Sequence, residues 1–559
     1  MKRLINLTLM SLLVFLIDLT YILHLPKFSY SINGPNILKA VPVIHWILLI
    51  LSSSLLVASL NLNRRDKWPL VIIGLMYGAL FYITNLYFVV PYEQTDIPSG
   101  LIEFLLSSGR ITHKALSVYS LSYLSYPVSF ILEISMMLIG GIGKISIYTV
   151  GLFVFLGAFY VGLILYYYKK DRDMKFAILS LATYIVLSFY VINDQVAPQT
   201  LALAFLPYLY RLTFDYIEGE QPLKVLALIL ILWFALVFTH PFMFLFYILP
   251  VLGVVVYNRV ILKRSGIKDS TIGILVSIWG FGFVCLFYNL LSIPLRVFVE
   301  QWGEARGETW WVFANFFRKS GAFGPIKYTP HPHYELVPKW IVETQALILR
   351  IMLILLVGII LYSFILELKR AITSGKLSHQ LVFDVSVMVS SGILFVIGLI
   401  TTFLGQRVFQ VVFIPLSRYI PSFKAKKAIR YILMVILIMA PVAYTFNSLT
   451  NLTVGPQLFV EDKHLIVAGY FGNEYLKPYS RVFVTRELYP SEYPTNLIKY
   501  SYPRKIMLYS GTPDYVYMSP KFEHASEYYG RHKEIQKYKS TNCCRIYDNS
   551  IVSILKTSG

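Results

Sequence analysis

Apolar residues gather along this chain in long runs separated by short polar interruptions. A helix rises 1.5 Å per residue, so crossing a hydrocarbon core of about 30 Å takes roughly 20 apolar residues. Runs close to that length predict about thirteen membrane-spanning helices. They cover Leu4–Leu25, Ala40–Leu60, Trp68–Val90, Ile145–Tyr168, Phe176–Ile192, Leu201–Tyr216, Leu223–Phe238, Phe242–Tyr257, Thr271–Leu291, Ile341–Leu366, Leu381–Phe403, Val408–Ile420 and Tyr431–Phe446. The first follows Met1, Lys2 and Arg3 without a small-residue cleavage site, which predicts a retained signal anchor.

The polar interruptions differ in charge, and the difference predicts an orientation. Arg64, Arg65 and Lys67 share one short loop, Lys169, Lys170, Arg172 and Lys175 another, and Arg259, Lys263, Arg264 and Lys268 a third. Lys369, Arg370 and Lys376, then Lys424, Lys426, Lys427 and Arg430, continue the alternation. Cytoplasmic loops hold an excess of Lys and Arg, so these loops and the N-terminus are expected inside the cell. An odd number of spans then puts the C-terminus outside.

Two long outward loops are predicted, residues 91–144 and 292–339, within a polytopic domain of residues 1–446. In the first loop Leu101, Ile102, Leu105 and Leu106 make one apolar helical face, expected to lie on the membrane surface. Tyr126–Gly140 is apolar but short and carries Glu133, which predicts an interfacial or re-entrant helix. If it spanned, every later loop would change sides, against the Lys and Arg pattern. Residues 447–559 alternate apolar and polar positions in Arg481–Leu488, Lys505–Tyr509, Tyr515–Met518 and Arg545–Leu555, predicting a small α/β or mostly β domain. The fold class is therefore an all-α polytopic membrane protein with a small extracytoplasmic C-terminal domain.

Composition strengthens the membrane reading. Of 559 residues, 56% are hydrophobic and only 14% charged, too apolar for a soluble protein of this size. Part of the +20 net charge is orientation signal; the rest could meet lipid head groups or lipid phosphates. Three cysteines offer neither a disulfide framework nor a thiolate metal site. The nearest approach to a nucleotide-binding phosphate loop, Gly140–Ser146, has Ile145 after Lys144 where a hydroxyl residue is needed. Neither a nucleotide nor a nucleic-acid partner is expected.

With that topology, polar residues far apart in sequence fall at outer helix ends. Glu93 and Asp96 follow the third span, Asp194, Gln195 and Gln199 lie between the fifth and sixth, His240 between the seventh and eighth, and Arg407 begins the twelfth. Helix ends at one surface can surround one cavity. There a carboxylate can take a proton from an attacking hydroxyl and a cation can stabilise a phosphate leaving group, roles that fit Asp96 and Arg407. The plainer alternatives stay open: Asp96 as a helix N-cap and Arg407 as a side chain reaching to the interface. His240 suits a hydrogen-bonded turn that lines the cavity. His331, His333 and Glu335 are metal-capable side chains in a Pro-rich loop, where solvation is the simpler reading. The aromatic and charged run Trp302–Trp311 is simplest as an interfacial belt. Asp18, inside the first span, is costly to bury and calls for a function or a partner on a neighbouring helix.

Five segments, in this order and spacing, carry a family resemblance: Thr95–Ile111, Tyr126–Gly141, Ala197–Tyr210, Ala235–Pro250 and the terminal RIYDNSIVSIL, Arg545–Leu555. They resemble the archaeal multispan glycosyltransferases of the GT-C fold, which include dolichyl-phosphate-mannose-dependent mannosyltransferases and oligosaccharyltransferase catalytic subunits. The resemblance implies an inverting glycosyltransferase with Asp96 as the catalytic acidic residue of the first outer loop and Glu93 as the near alternative. It implies a polyprenyl-phosphate-linked sugar donor and a lipid-linked glycan or surface-protein acceptor, and leaves a divalent metal open. Asp194, Gln195, Gln199, His240 and Arg407 are the expected substrate-binding set. Ser99 stands where the family often has a histidine, and no WWDYG-like signature is present, which argues against an oligosaccharyltransferase. The competing readings are a multispan transporter or lipid flippase and a non-catalytic relative of the same family.

Overall fold

The computed structural model of this chain describes residues 2–26, 41–61, 67–87, 127–142, 147–171, 173–188, 198–217, 222–240, 243–257, 339–374, 378–401, 405–420 and 427–454, with strand segments between 480 and 556 and a few isolated positions elsewhere. The helices are α1 (Lys2–His24), α2 (Val43–Asn61), α3 (Lys67–Leu80), α4 (Val128–Gly140), α5 (Ile147–Asp171), α6 (Met174–Ser188) and α7 (Pro198–Ile217). They continue with α8 (Pro222–Val237), α9 (Leu245–Val256), α10 (Lys339–Ser374), α11 (His379–Thr401), α12 (Gly405–Leu416) and α13 (Lys427–Val454). Two 3-10 turns, η1 (Ile83–Tyr87) and η2 (Ser417–Tyr419), follow α3 and α12. Every predicted span coincides with a helix except Thr271–Leu291, which lies outside the described residues.

Among the described residues, five helices are long and apolar enough to cross a membrane, within α1, α2, α5, α10 and α13, and seven shorter apolar helices accompany them. These are the length and composition of a helical, multi-pass membrane protein. The faces agree. In α1, Leu4, Thr8, Ser11, Asp18 and Ile22 are buried at helical spacing, whereas Leu9, Met10, Leu13 and Leu16 are exposed. The polar side chains therefore face the bundle and the leucines face outward, the reverse of a soluble amphipathic helix. Thr8, Ser53, Thr183 and Ser188 donate their hydroxyls to the carbonyl four residues earlier, so these groups need no water.

Close approaches set the packing of the central helices. The Cβ that Gly78 lacks would fall against the ring of Tyr160, and that of Gly162 against the ring of Tyr208, whose hydroxyl donates to the Ala158 carbonyl at 2.7 Å. Tyr77 donates to the carbonyl of Leu437 at 2.7 Å and Tyr210 to that of Phe246 at 2.6 Å, linking α3 to α13 and α7 to α9.

α3 defines two ends of the bundle. At its start the Lys67 ammonium lies 5.2 Å from the ring centre of Tyr168, the residue that follows Tyr166 and Tyr167 on α5. Beyond its other end, η1 carries Thr84 against α1 and α2. Those two positions are 17 residues apart, roughly 25 Å at helical rise.

The isolated described positions between η1 and α4 include Ile102, which is buried, and Gly109, whose φ of 64° and N–H donated to the Leu105 carbonyl at 2.9 Å form a left-handed cap. α4 is a helix of 13 residues, too short to cross the core unaided.

The C-terminal strands form one five-stranded sheet in the order β2-β1-β3-β5-β4, with β1 (Ser480–Phe483), β2 (Ile506–Leu508), β3 (Tyr515–Met518), β4 (Cys544–Asp548) and β5 (Ser553–Lys556). β1 runs parallel to β2 and β3, and β5 antiparallel to β3 and β4. The sequence predicts Arg545–Leu555 as one strand; the structure makes it a hairpin. Asn549 and Ser550, residue types that favour turns, fall between the two strands in the sequence.

Candidate functional site

Of the residues predicted to line a site, Glu93, Asp96, Asp194 and Gln195 lie outside the described residues, as does the loop with His331, His333 and Glu335. Arg407 belongs to the first turn of α12, three residues before Gln410. Gln199 and His240 are described in full.

Gln199 starts α7 and is buried. Its amide Nε2 donates to Oε1 of Gln410 at 3.5 Å, a long bond, while the backbone carbonyl of Gln410 accepts the Tyr184 hydroxyl at 3.1 Å. Gln199 is thus joined to the helix that carries Arg407. His240 is also buried and follows α8 in a turn whose N–H donates to the Leu236 carbonyl at 3.2 Å, the role its sequence context predicts. The backbone N–H of Val128 donates to the Phe238 carbonyl at 3.3 Å, which ties the start of α4 to the same turn. Asp18, Gln199 and His240 therefore share the Thr84 end of the bundle.

The most ordered polar feature at that end was only half visible in the sequence. Asp18 of α1, His45 of α2 and Thr84 of η1 form a line of hydrogen bonds. Nδ1 of His45 is 2.8 Å from Oδ1 of Asp18, and Nε2 is 2.9 Å from Oγ1 of Thr84. All three side chains are buried. Each ring nitrogen of His45 thus meets one oxygen, Nδ1 the carboxylate of Asp18 and Nε2 the hydroxyl of Thr84. The arrangement fixes η1 to the first two helices. Asp18 was expected to need a partner. His45 and Thr84 gave no sign of being that partner, because both sit in apolar stretches and neither belongs to a motif.

Carboxylate oxygens without a hydrogen-bond partner also fall in this half of the chain. Asp18 Oδ2 has none, and neither do Oε1 and Oε2 of Glu133, a fully buried side chain one turn after buried Ser129 on α4. Burying an acceptor without a donor costs about 1–3 kcal/mol, more for a charge, so such groups suit a hydroxyl or a water brought by a ligand.

A second network lies at the opposite end, where the sequence showed two isolated charges inside predicted spans. Arg418 of η2 donates Nη1 to Oδ1 and Oδ2 of Asp384 of α11 at 2.9 and 3.0 Å. The Tyr166 hydroxyl donates to Oδ1 at 2.8 Å and that of Tyr419 to Oδ2 at 2.7 Å. The guanidinium also lies 4.9 Å from the ring centre of Tyr166. Tyr167 adds bonds to Ser417 and to the Ile414 carbonyl at 2.6 and 3.0 Å. Among the described residues, the buried cation and amide nitrogens without a partner are Arg418 Nε and Nη2, Gln380 Nε2 and Arg430 Nε.

Among the described residues no group of three or more His, Cys, Asp or Glu side chains could hold a metal ion. Compared with known protein families and with curated proteins, the sequence matches none.

Proposed function

We propose that this chain is a GT-C-type membrane glycosyltransferase that moves a sugar from a polyprenyl-phosphate donor to a lipid-linked glycan or surface-protein acceptor on the extracytoplasmic face. The observation that carries the reading is the Asp18–His45–Thr84 line. It anchors η1, and Glu93 and Asp96 follow Thr84 by nine and twelve residues in the chain. An acidic loop rooted in a rigid, buried array is what general-base chemistry needs, because a carboxylate must be held within hydrogen-bond reach of the hydroxyl it deprotonates.

In this mechanism Asp96 takes the proton of an acceptor hydroxyl and the oxygen attacks the anomeric carbon. The bond to the lipid phosphate breaks with inversion, and the Arg407 guanidinium stabilises the departing anion. Gln199, which Gln410 joins to α12, and His240, Asp194 and Gln195 line the substrate. The C-terminal sheet domain presents the acceptor.

The transporter reading calls for ionisable groups along a midplane path. Among the described residues the buried ionisable networks instead sit near helix ends, Asp18 with His45 and Asp384 with Arg418.

The test uses the full-length protein in vesicles with radiolabelled polyprenyl-phosphate mannose and glucose and a membrane extract as acceptor source. Wild type transfers label. Asp96→Asn lowers transfer about 10²- to 10⁴-fold with its thermal stability retained, the range for loss of a general base. Full activity in Asp96→Asn, or sugar-independent uptake of lipid by the wild type in place of transfer, rejects the assignment.

A further inference from the structure

We propose that Arg418 and Gln380 form a binding site for a phosphate oxyanion at the Lys67 end of the bundle, separate from the proposed transfer site and independent of it. The geometry of one guanidinium carries the inference. Arginine has two edges that can grip an oxyanion with paired N–H groups, and here Nη1 is committed to both oxygens of Asp384. The other edge, formed by Nε and Nη2, has no acceptor although the residue is 1% exposed. The amide Nε2 of Gln380, four residues and one helical turn before Asp384 on α11, is likewise buried without an acceptor. Three buried N–H-bearing atoms thus have no oxygen to meet, and donors of this kind are normally satisfied in a folded protein.

A phosphate satisfies them better than other acceptors. The bidentate fork matches two phosphate oxygens, and a third oxygen remains for the amide. Glu367 of α10 exerts its field on Tyr419, so the surroundings are not uniformly positive. An anion is held there by directed hydrogen bonds, which favours a forked oxyanion over a diffuse one such as chloride. The depth agrees. Asp384 is five residues from the start of α11 and Tyr166 three residues before Lys169, which places the network about 5–8 Å inside the helix ends. Lipid phosphates occupy a layer of similar thickness at each membrane face. Lys67, Lys369 and Arg370 stand exposed at the same end, where they raise the local concentration of anions.

A lipid head group and free phosphate offer the same chemistry, and the test separates them. Thermal unfolding of the full chain is followed in an uncharged detergent alone, with phosphatidylglycerol, with diacylglycerol lacking phosphate, and with inorganic phosphate. The wild type is expected to gain several degrees from phosphatidylglycerol and nothing from diacylglycerol. An equal gain from inorganic phosphate identifies free phosphate as sufficient. Arg418→Lys keeps a cation for Asp384 and removes the second edge, so it should unfold near the wild-type temperature in detergent alone and lose the gain. If Arg418→Lys does not fold, Gln380→Leu carries the test, and its gain should be smaller than that of the wild type. The proposal is overturned if neither phosphate source stabilises the wild type, if Arg418→Lys keeps the full gain, or if Gln380→Leu, used in its place, does so.

Discussion

At the Thr84 end of the bundle a carboxylate, an imidazole and a hydroxyl stand in line, and the carboxylate oxygens left over belong to Asp18 and Glu133. At the Lys67 end a carboxylate is saturated by a guanidinium and two phenols, and the groups left over are the nitrogens of Arg418, Gln380 and Arg430. Among the described carboxylate, guanidinium and amide groups, one end keeps spare acceptors and the other spare donors; the Trp233 indole and hydroxyls such as those of Ser52, Ser129, Ser180 and Ser391 are outside this division. The difference teaches how one apolar bundle can offer two chemistries. Spare acceptors suit hydroxyl-rich molecules such as sugars, and spare donors suit phosphates. In an interior of low dielectric each unpaired group is expensive, so its sign is informative about what it meets.

The comparison breaks hardest at Asp384. Asp384→Ala leaves the Arg418 cation buried without its counter-charge and removes the acceptor of two tyrosine hydroxyls, which is expected to cost about 3–5 kcal/mol. Denaturant or thermal unfolding in detergent measures it. Replacing both partners, Asp384→Leu with Arg418→Met, should recover most of that loss, because two matched apolar side chains carry no desolvation penalty. A double variant no better than Asp384→Ala would mean that the pair itself, and not the orphaned charge, supplies the stability.

A smaller effect is expected at the other end. His45→Ala strands Oδ1 of Asp18 and the Thr84 hydroxyl, at about 1–3 kcal/mol for buried polar groups left without a partner. The two ends should then separate in function. His45→Ala should reduce sugar transfer beyond the fraction unfolded, since η1 leads into the acidic loop, whereas a folded Arg418→Lys should transfer normally. Equal losses at both ends would erase the distinction.

Much of the fold was legible because lipid imposes a simple rule: an apolar run of helical length becomes a helix wherever the structure describes it. Polar partnerships were less legible. Asp18 announced that it needed a partner, but His45 is 27 residues away and Thr84 a further 39, and nothing in local sequence encodes that their helix ends meet. Asp384 and Arg418 are 34 residues apart in neighbouring predicted spans, and the turn of η2 brings them together. Among the C-terminal strands, the alternation in Arg545–Leu555 did not show that the segment divides into β4 and β5, which pair antiparallel. The Gln410 partner of Gln199, 211 residues away, had no local signal either.

The proposed function requires the two ends to face different compartments, with the Thr84 end outside the cell. Single cysteines replace Gln94, beyond η1, and Arg65, before α3, in a full-length protein freed of its own three cysteines. A membrane-impermeant maleimide is then applied to intact cells. Gln94→Cys should be labelled at once and Arg65→Cys only after the membrane is permeabilised; labelling of Arg65→Cys in intact cells with Gln94→Cys protected would contradict the assignment of the two ends.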